Sequence, residues 1–211
     1  VQGAQLVYFG SDEITILLFK NKVKKEFTPF FEGKLQKTVS LTAAIATAEF
    51  NKAWLEIINK TKDSDYKEIL QRKLFNARFD SRAFNIEGEI NEALSSIWWR
   101  MKDVSRNSVQ MLGRKYFSQK QLQNISTRQL EDMLKEINHD WNKEVRKVNK
   151  YGNLFIRESY LGKGYNPKMK EFVETIRHDW FETQEDELIE FLDVKNLEDF
   201  KTTKIFKRLK Y

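Results

Sequence analysis

The 211-residue sequence contains no cysteine. That absence excludes a disulfide framework, a thiolate metal site and a cysteine nucleophile. It also fits a reducing compartment, and a cytoplasmic location is the expectation. No apolar run approaches membrane-spanning length, and the residues from Val1 onward do not read as a signal peptide, so no membrane partner is expected. Histidine is scarce. His139 and His178 are the only two, and they make no defensible metal pair, so both are expected as surface or packing residues. Internal repeats and Gly/Ser linkers are missing as well. What is present is ordinary for a globular protein: 40% hydrophobic and 32% charged residues, enough chain for one good-sized domain or one plus a small appendage. The net charge of +6 hints at a polyanionic partner and requires local support.

Local support begins at Tyr8-Phe9-Gly10-Ser11-Asp12-Glu13. Apolar runs from Ala4 to Val7 and Ile14 to Phe19 flank it, and the Gly-Ser-Asp step reads as the turn of a β-hairpin. Two adjacent carboxylates therefore sit at a bend. Side chains alternate along a strand, so Asp12 and Glu13 do not both face one ion squarely. One serves as a primary ligand and the other as a supporting one. Hard oxygen ligands of this kind suit Mg²⁺, which takes one or two protein carboxylates and completes its shell with water and phosphate. A plain polar turn satisfies the same residues.

Lys20 to Glu26 reads as a lysine-rich loop. Beyond Gly33, the residues Leu35, Val39, Ala43, Ala46, Phe50 and Trp54 recur at helical spacing. Lys34 and Lys37 fall in the first turn, where a cation is unfavourable against the helix dipole unless an anion binds there. Two solvated lysines are the alternative. Phe75 to Ile86 reads as a strand closed by Glu87-Gly88. Ile90, Leu94, Ile97 and Met101 mark a helix carrying Trp98, Trp99 and Arg100, and a further helix is expected over Val104 to Tyr116. Trp98 and Trp99 are candidates for base stacking or for core packing. Ser126 opens a capping box ahead of Leu130, Met133, Leu134 and Ile137. Asn153 to Tyr160 has the period of a strand, and Pro167 is expected to start a helix through Trp180. The basic end, Lys201 to Lys210, suits an RNA backbone or a solvated terminus. Mixed strands and helices give an α+β class.

Several of these segments together resemble the tRNA-His guanylyltransferase family, the 3′-to-5′ nucleotide polymerases. The resemblance rests on Tyr8-x-x-Ser11-Asp12-Glu13, Gln36-Lys37 with Val39-Ser40, Phe79-Asp80-Ser81-Arg82, Trp99-Arg100-x-x-Asp103 with Arg106-Asn107-Ser108, and Lys150-x-Gly152. It covers roughly Ala4 to Tyr160. It implies a palm-like (ferredoxin-like) antiparallel sheet with helices on one face and a helical C-terminal part. The implied domain division is 1–88 for an incomplete palm, 89–161 for the rest of the catalytic unit and 162–211 for a charged helical extension.

The implied activity is addition of nucleotides to the 5′ end of tRNA by two-metal chemistry, with two Mg²⁺ ions, ATP and GTP as substrates, and a dimer or tetramer of the chain. Asp12 and Glu13 would be the catalytic metal ligands. Lys34, Lys37, Ser40 and Ser11 would bind nucleotide phosphate, and Arg82, Arg100, Arg106 and Asn107 would contact nucleotide or tRNA. An ion pair with Asp80 or Asp103 is the structural alternative for the arginines. Family members also carry an earlier R-x-D-G-x-x-F segment with the other main metal aspartate. Nothing here matches it, and the expectation is that the sequence starts inside a longer polypeptide. Where the eukaryotic branch has H-I-N-N, this chain has Ser105-Arg106-Asn107-Ser108, closer to the bacterial and archaeal branch associated with templated repair of 5′-truncated tRNA. Addition of a single 5′ guanosine to tRNA-His is the nearest alternative. A palm-type nucleotide cyclase and a non-catalytic tRNA-binding protein are the other classes left open.

Overall fold

The computed structural model describes residues 3–19 and 30–209, so the loop expected over Lys20 to Glu26 lies outside the described residues. The strands are β1 (Ala4–Gly10), β2 (Glu13–Leu18), β3 (Asn153–Asn166) and β4 (Glu171–Glu182). The helices are α1 (Leu35–Lys60), α2 (Ser64–Arg72), α3 (Ile90–Tyr116), α4 (Gln119–Leu122), α5 (Thr127–Glu136), α6 (Trp141–Glu144), α7 (Lys147–Tyr151), α8 (Glu185–Leu192) and α9 (Lys204–Leu209). The chain divides into two compact units, whose described parts are residues 30–85 and residues 3–19 with 86–209. The hairpin thus groups with the residues after 85.

In the sheet unit the strand order is β2-β1-β3-β4, antiparallel throughout. Alternation along β1 sends Ala4, Leu6, Tyr8 and Gly10 to the buried side. There Leu6, Tyr8, Leu154 and Ile156 pack with Leu94, Ile97 and Met101 of α3, Leu188 and Phe191 of α8, and Ile205 and Phe206 of α9. This is the α+β arrangement of an antiparallel sheet with helices on one face. A smaller cluster, Val109, Leu130 and Leu134, joins α5 to the second half of α3. Gly113 makes that approach possible, since a Cβ there would lie 2.7 Å from the Leu130 side chain. The Ser126 cap forms as its sequence predicts: Ser126 N–H donates to Gln129 Oε1 at 2.9 Å, and Gln129 N–H donates to Ser126 Oγ at 3.3 Å.

Three sequence expectations change. The two helices expected between Ile90 and Tyr116 are one helix of 27 residues. No Gly or Pro interrupts residues 101–104, and the buried stripe runs on from Met101 to Ser108 and Val109. The helix expected from Pro167 to Trp180 is instead β4, the return strand of a long hairpin with β3. Pro167 lies in its turn, where Asn166 Oδ1 accepts from Lys168 N–H at 3.0 Å, and the β-branched Val173, Thr175 and Ile176 suit the strand. The 162–211 stretch therefore opens on a β-hairpin arm and only afterwards becomes helical.

The third change lies in the 30–85 unit. Residues 76–85 form neither helix nor strand, and they pair with no strand among the described residues. The reason lies in a helix distant along the chain. Side chains of α1 take their polar groups: Phe79 N–H donates to Thr47 Oγ1 at 2.9 Å, Asn51 Nδ2 donates to Ala77 O at 3.1 Å, and Thr42 Oγ1 donates to Ser81 Oγ at 2.8 Å. Phe50 and Phe79 pack with ring centroids 5.5 Å apart. The α2 helix is capped by Asp63, whose carboxylate accepts from Tyr66 N–H at 2.7 Å, and Trp54 Nε1 donates to Leu70 O at 3.0 Å.

Candidate active site

The β1–β2 hairpin closes through Ser11 and Asp12, with Gly10 opposite Glu13. Ser11 takes a positive φ of 56°, a conformation a two-residue hairpin loop demands and a short polar side chain tolerates. All three of Ser11, Asp12 and Glu13 are exposed. Beneath them the hairpin is anchored. The Tyr8 hydroxyl donates to Tyr151 O at 3.0 Å, both buried. Burial, with the Glu13 charge as a smaller contribution, raises the Tyr8 phenol well above its ordinary value, so it stays a neutral donor. Gly152 follows with φ 76°, and a Cβ there would fall 2.3 Å from Phe9 O. Only glycine permits that approach, which accounts for the glycine of Lys150-x-Gly152. Lys150 is itself 6% exposed, its ammonium donating to Asn142 O and Glu185 Oε1, each at 3.2 Å.

Arg100 reaches the hairpin tip from α3. Its Nη1 donates to both Glu13 oxygens, at 2.8 and 2.7 Å. Further along the helix, Arg106 pairs with Asp103 at 2.5 Å, and Asn107 is exposed. Glu13, Asp12, Ser11 and Arg100 are thus brought together, with Arg106 and Asn107 on the same helix. The partnering of Arg100 with Glu13 rather than Asp103 is the contact that reading the motifs separately missed. Trp98 packs against the core and donates from Nε1 to Leu192 O at 3.1 Å, whereas Trp99 is 66% exposed.

A second group lies in the 30–85 unit. Lys34 is the N-cap residue of α1 and pairs with Glu32 at 2.8 Å. Lys37 Nζ lies 4.8 Å from the centroid of the Phe31 ring, and Ser40 Oγ donates to Lys37 O at 3.3 Å. No acidic residue occupies the first turn and no side chain caps it, so the helix presents cations and free N–H groups together. Arg82 is exposed and lies 3.4 Å from Asp80, the ion pair the sequence offers as its structural alternative.

Neither histidine joins the site. His139 stacks on Tyr116 at 3.8 Å and shares a 2.8 Å hydrogen bond with Glu144, which lowers the Glu144 carboxyl below its usual range. His178 Nδ1 lies 2.9 Å from Ser159 Oγ. The basic terminus is likewise engaged by the fold. Lys201 pairs with Glu198, Lys204 with Asp186, and Arg208 with Glu158 and Glu187. Among the described residues no group of three or more His, Asp or Glu is placed to hold a metal ion, and no helix is long and apolar enough to cross a membrane.

An acidic hairpin tip on a four-stranded antiparallel sheet, with helices packed on one face, defines a palm-like α+β protein. Residues 1–87 match the family model described as Thg1, tRNAHis guanylyltransferase. A solved structure of a bacterial tRNA(His) guanylyltransferase (Thg1)-like protein in complex with ATP matches at 30% identity and a TM-score of 0.59, over 82% of this chain and 64% of that chain. This chain therefore spans a little under two thirds of that protein's length. No curated protein matches. The chain resembles the tRNA-His guanylyltransferase family, as its motifs predict.

Proposed function

We propose that this chain is a 3′-5′ nucleotidyltransferase that adds nucleotides to the 5′ end of tRNA, with templated 5′-end repair as its task. The observation that carries the reading is the 30% identity to the ATP-bound bacterial Thg1-like protein, supported by the Ser105-Arg106-Asn107-Ser108 element. On this reading the tRNA 5′ monophosphate is first adenylylated by ATP, with release of pyrophosphate. The 3′ hydroxyl of an incoming nucleotide, GTP among them, then forms a new P–O bond to the activated phosphate. AMP leaves with the electron pair of the broken bond, and the hydroxyl proton is released to water. Lys34 and Lys37, with Ser40 and the free N–H groups of α1, would hold a nucleotide phosphate, and Ser11 would do so at the hairpin turn. Arg82, Arg106 and Asn107 would contact nucleotide or tRNA.

The metal expectation fits only in part. Asp12 is an open carboxylate of the kind Mg²⁺ uses together with water and substrate phosphate, whereas both Glu13 oxygens already accept from Arg100. These residues suit one hydrated ion held at Asp12 and do not compose a two-ion site. Bound there, Mg²⁺ would supply charge neutralisation to phosphate oxygens. Dimeric or tetrameric assembly and a cytoplasmic location, where tRNA is processed, belong to the same reading.

The description of the family model favours a second reading, a single guanosine added to tRNA-His. A product assay separates the two. Truncated and full-length tRNA-His and a truncated non-histidine tRNA are each given all four nucleotides. Repair predicts addition to every truncated tRNA, copied from the opposite strand, with Watson–Crick pairing supplying the specificity and the protein contacting shape and backbone. Addition confined to full-length tRNA-His establishes the second reading instead. Conversion of ATP or GTP alone to a cyclic product would indicate a cyclase.

A further inference from the structure

The Glu13–Arg100 pair is asymmetric. One guanidinium nitrogen, Nη1, serves both carboxylate oxygens, while Nε and Nη2 make no hydrogen bond or ion pair among the described residues. That free side-on edge has the fork spacing that matches two oxygens of a phosphate. The two side chains are 53% and 52% exposed, so a ligand reaches them from solvent. The base of Arg100 is fixed: Ile97 and Met101 on the same helix are completely buried. The hairpin tip is fixed as well, through Tyr8 and Gly152.

We propose that Glu13 is a positioning residue. It holds Arg100 through Nη1 so that the free Nε/Nη2 edge takes two oxygens of a substrate phosphate at the hairpin tip. The inference rests on the nucleotidyltransferase reading and divides the labour of the adjacent carboxylates: Asp12 faces a cation, Glu13 orients one. A cation at Glu13 would have to break its contacts with Arg100 Nη1. An exposed ion pair adds little to stability, so what it contributes here is orientation. Lysine cannot replace Arg100 in this role, because an ammonium has no planar fork.

The test measures binding without activity. Inorganic tripolyphosphate and ATP are titrated in EDTA, and tRNA separately, into wild type, Glu13→Gln, Arg100→Gln, Arg100→Lys and the Glu13→Gln/Arg100→Gln double variant. Mn²⁺ binding is measured without nucleotide in wild type, Glu13→Gln and Asp12→Asn. Glu13→Gln and Arg100→Gln should each weaken tripolyphosphate and ATP about five- to tenfold, the loss of one charge-assisted contact. The double variant should lose no more than Arg100→Gln, Arg100→Lys should not rescue, and Mn²⁺ affinity should fall in Asp12→Asn but not in Glu13→Gln. A loss confined to tRNA supports the clamp with the RNA backbone as its phosphate source. Undiminished phosphate and tRNA affinity in Glu13→Gln overturns the proposal, as does a Mn²⁺ loss equal to that of Asp12→Asn. A wild-type chain that binds neither ATP nor tRNA overturns the nucleotidyltransferase reading, and the clamp with it.

Discussion

In the sheet unit, Leu6, Ile97, Met101, Leu154 and Ile156 are removed from water entirely, and they come from β1, α3 and β3. Among the described residues of the 30–85 unit only Asn51, Ile58 and Leu70 are buried, and the irregular segment after α2 is held by side-chain hydrogen bonds with Thr42, Thr47 and Asn51. The two groups of candidate site residues inherit this difference. Asp12 and Glu13 stand on a hairpin whose position is set by a packed core and a buried Tyr8 contact. Lys34 and Lys37 stand at a helix end and contact Glu32 and the Phe31 ring, both readily exchanged for an anion. One region offers a fixed chemical geometry and the other an adjustable grip on charge.

Truncating a core residue of the sheet unit should have the largest effect. Ile97→Ala is expected to cost about 2–5 kcal/mol, through lost burial and the cavity left behind. Ile45→Ala, on an exposed position of α1, should stay within about 0.5 kcal/mol. Urea denaturation of both variants checks the contrast, and equal losses would erase it. Next is Tyr8→Phe, which leaves the buried Tyr151 carbonyl unpaired and should cost about 1–3 kcal/mol.

Tyr8 also predicts a pH limb. Its folded value is raised above the ordinary 10.0, so the folded state favours the neutral phenol. The stability it contributes is fully present below pH 10 and is lost as pH rises from there toward the folded value. Tyr8→Phe should flatten that alkaline loss. The smallest effect is that of Lys37→Ala. Stability should be unchanged within about 0.5 kcal/mol, since the lysine is exposed, while affinity for GTP falls. An unchanged GTP affinity would return Lys37 to a solvated face.

Much of this contrast is legible in the amino-acid order. The hairpin follows from two β-rich runs around Gly10-Ser11-Asp12, and the stripe Leu94, Ile97, Met101 marks the buried face of α3 correctly. What failed was local inference where a distant partner decides. Phe75 to Ile86 has strand composition, yet the Thr47 hydroxyl and the Asn51 amide of α1 capture its backbone at Phe79 and Ala77, and Thr42 takes the Ser81 hydroxyl. Pro167 resembles a helix start, but Tyr165 and Phe172 pack across the hairpin with centroids 5.5 Å apart, favouring a turn. Arg100 has Asp103 within reach along its own helix, and only the fold shows that Glu13, 87 residues away, takes it. Spacing along a chain reports faces of one element; it does not report which face meets which.

The claim that Asp12 serves nucleotidyl transfer is tested most directly by a single turnover. Wild type and Asp12→Ala are mixed with a 5′-adenylylated truncated tRNA and GTP in Mg²⁺, and formation of the first added nucleotide is timed. Asp12→Ala should melt like wild type and be slower by about 10²–10³-fold, the loss expected when one electrostatic stabiliser of the transition state is removed. A rate within about twofold of wild type would contradict it, leaving Asp12 as a polar turn residue.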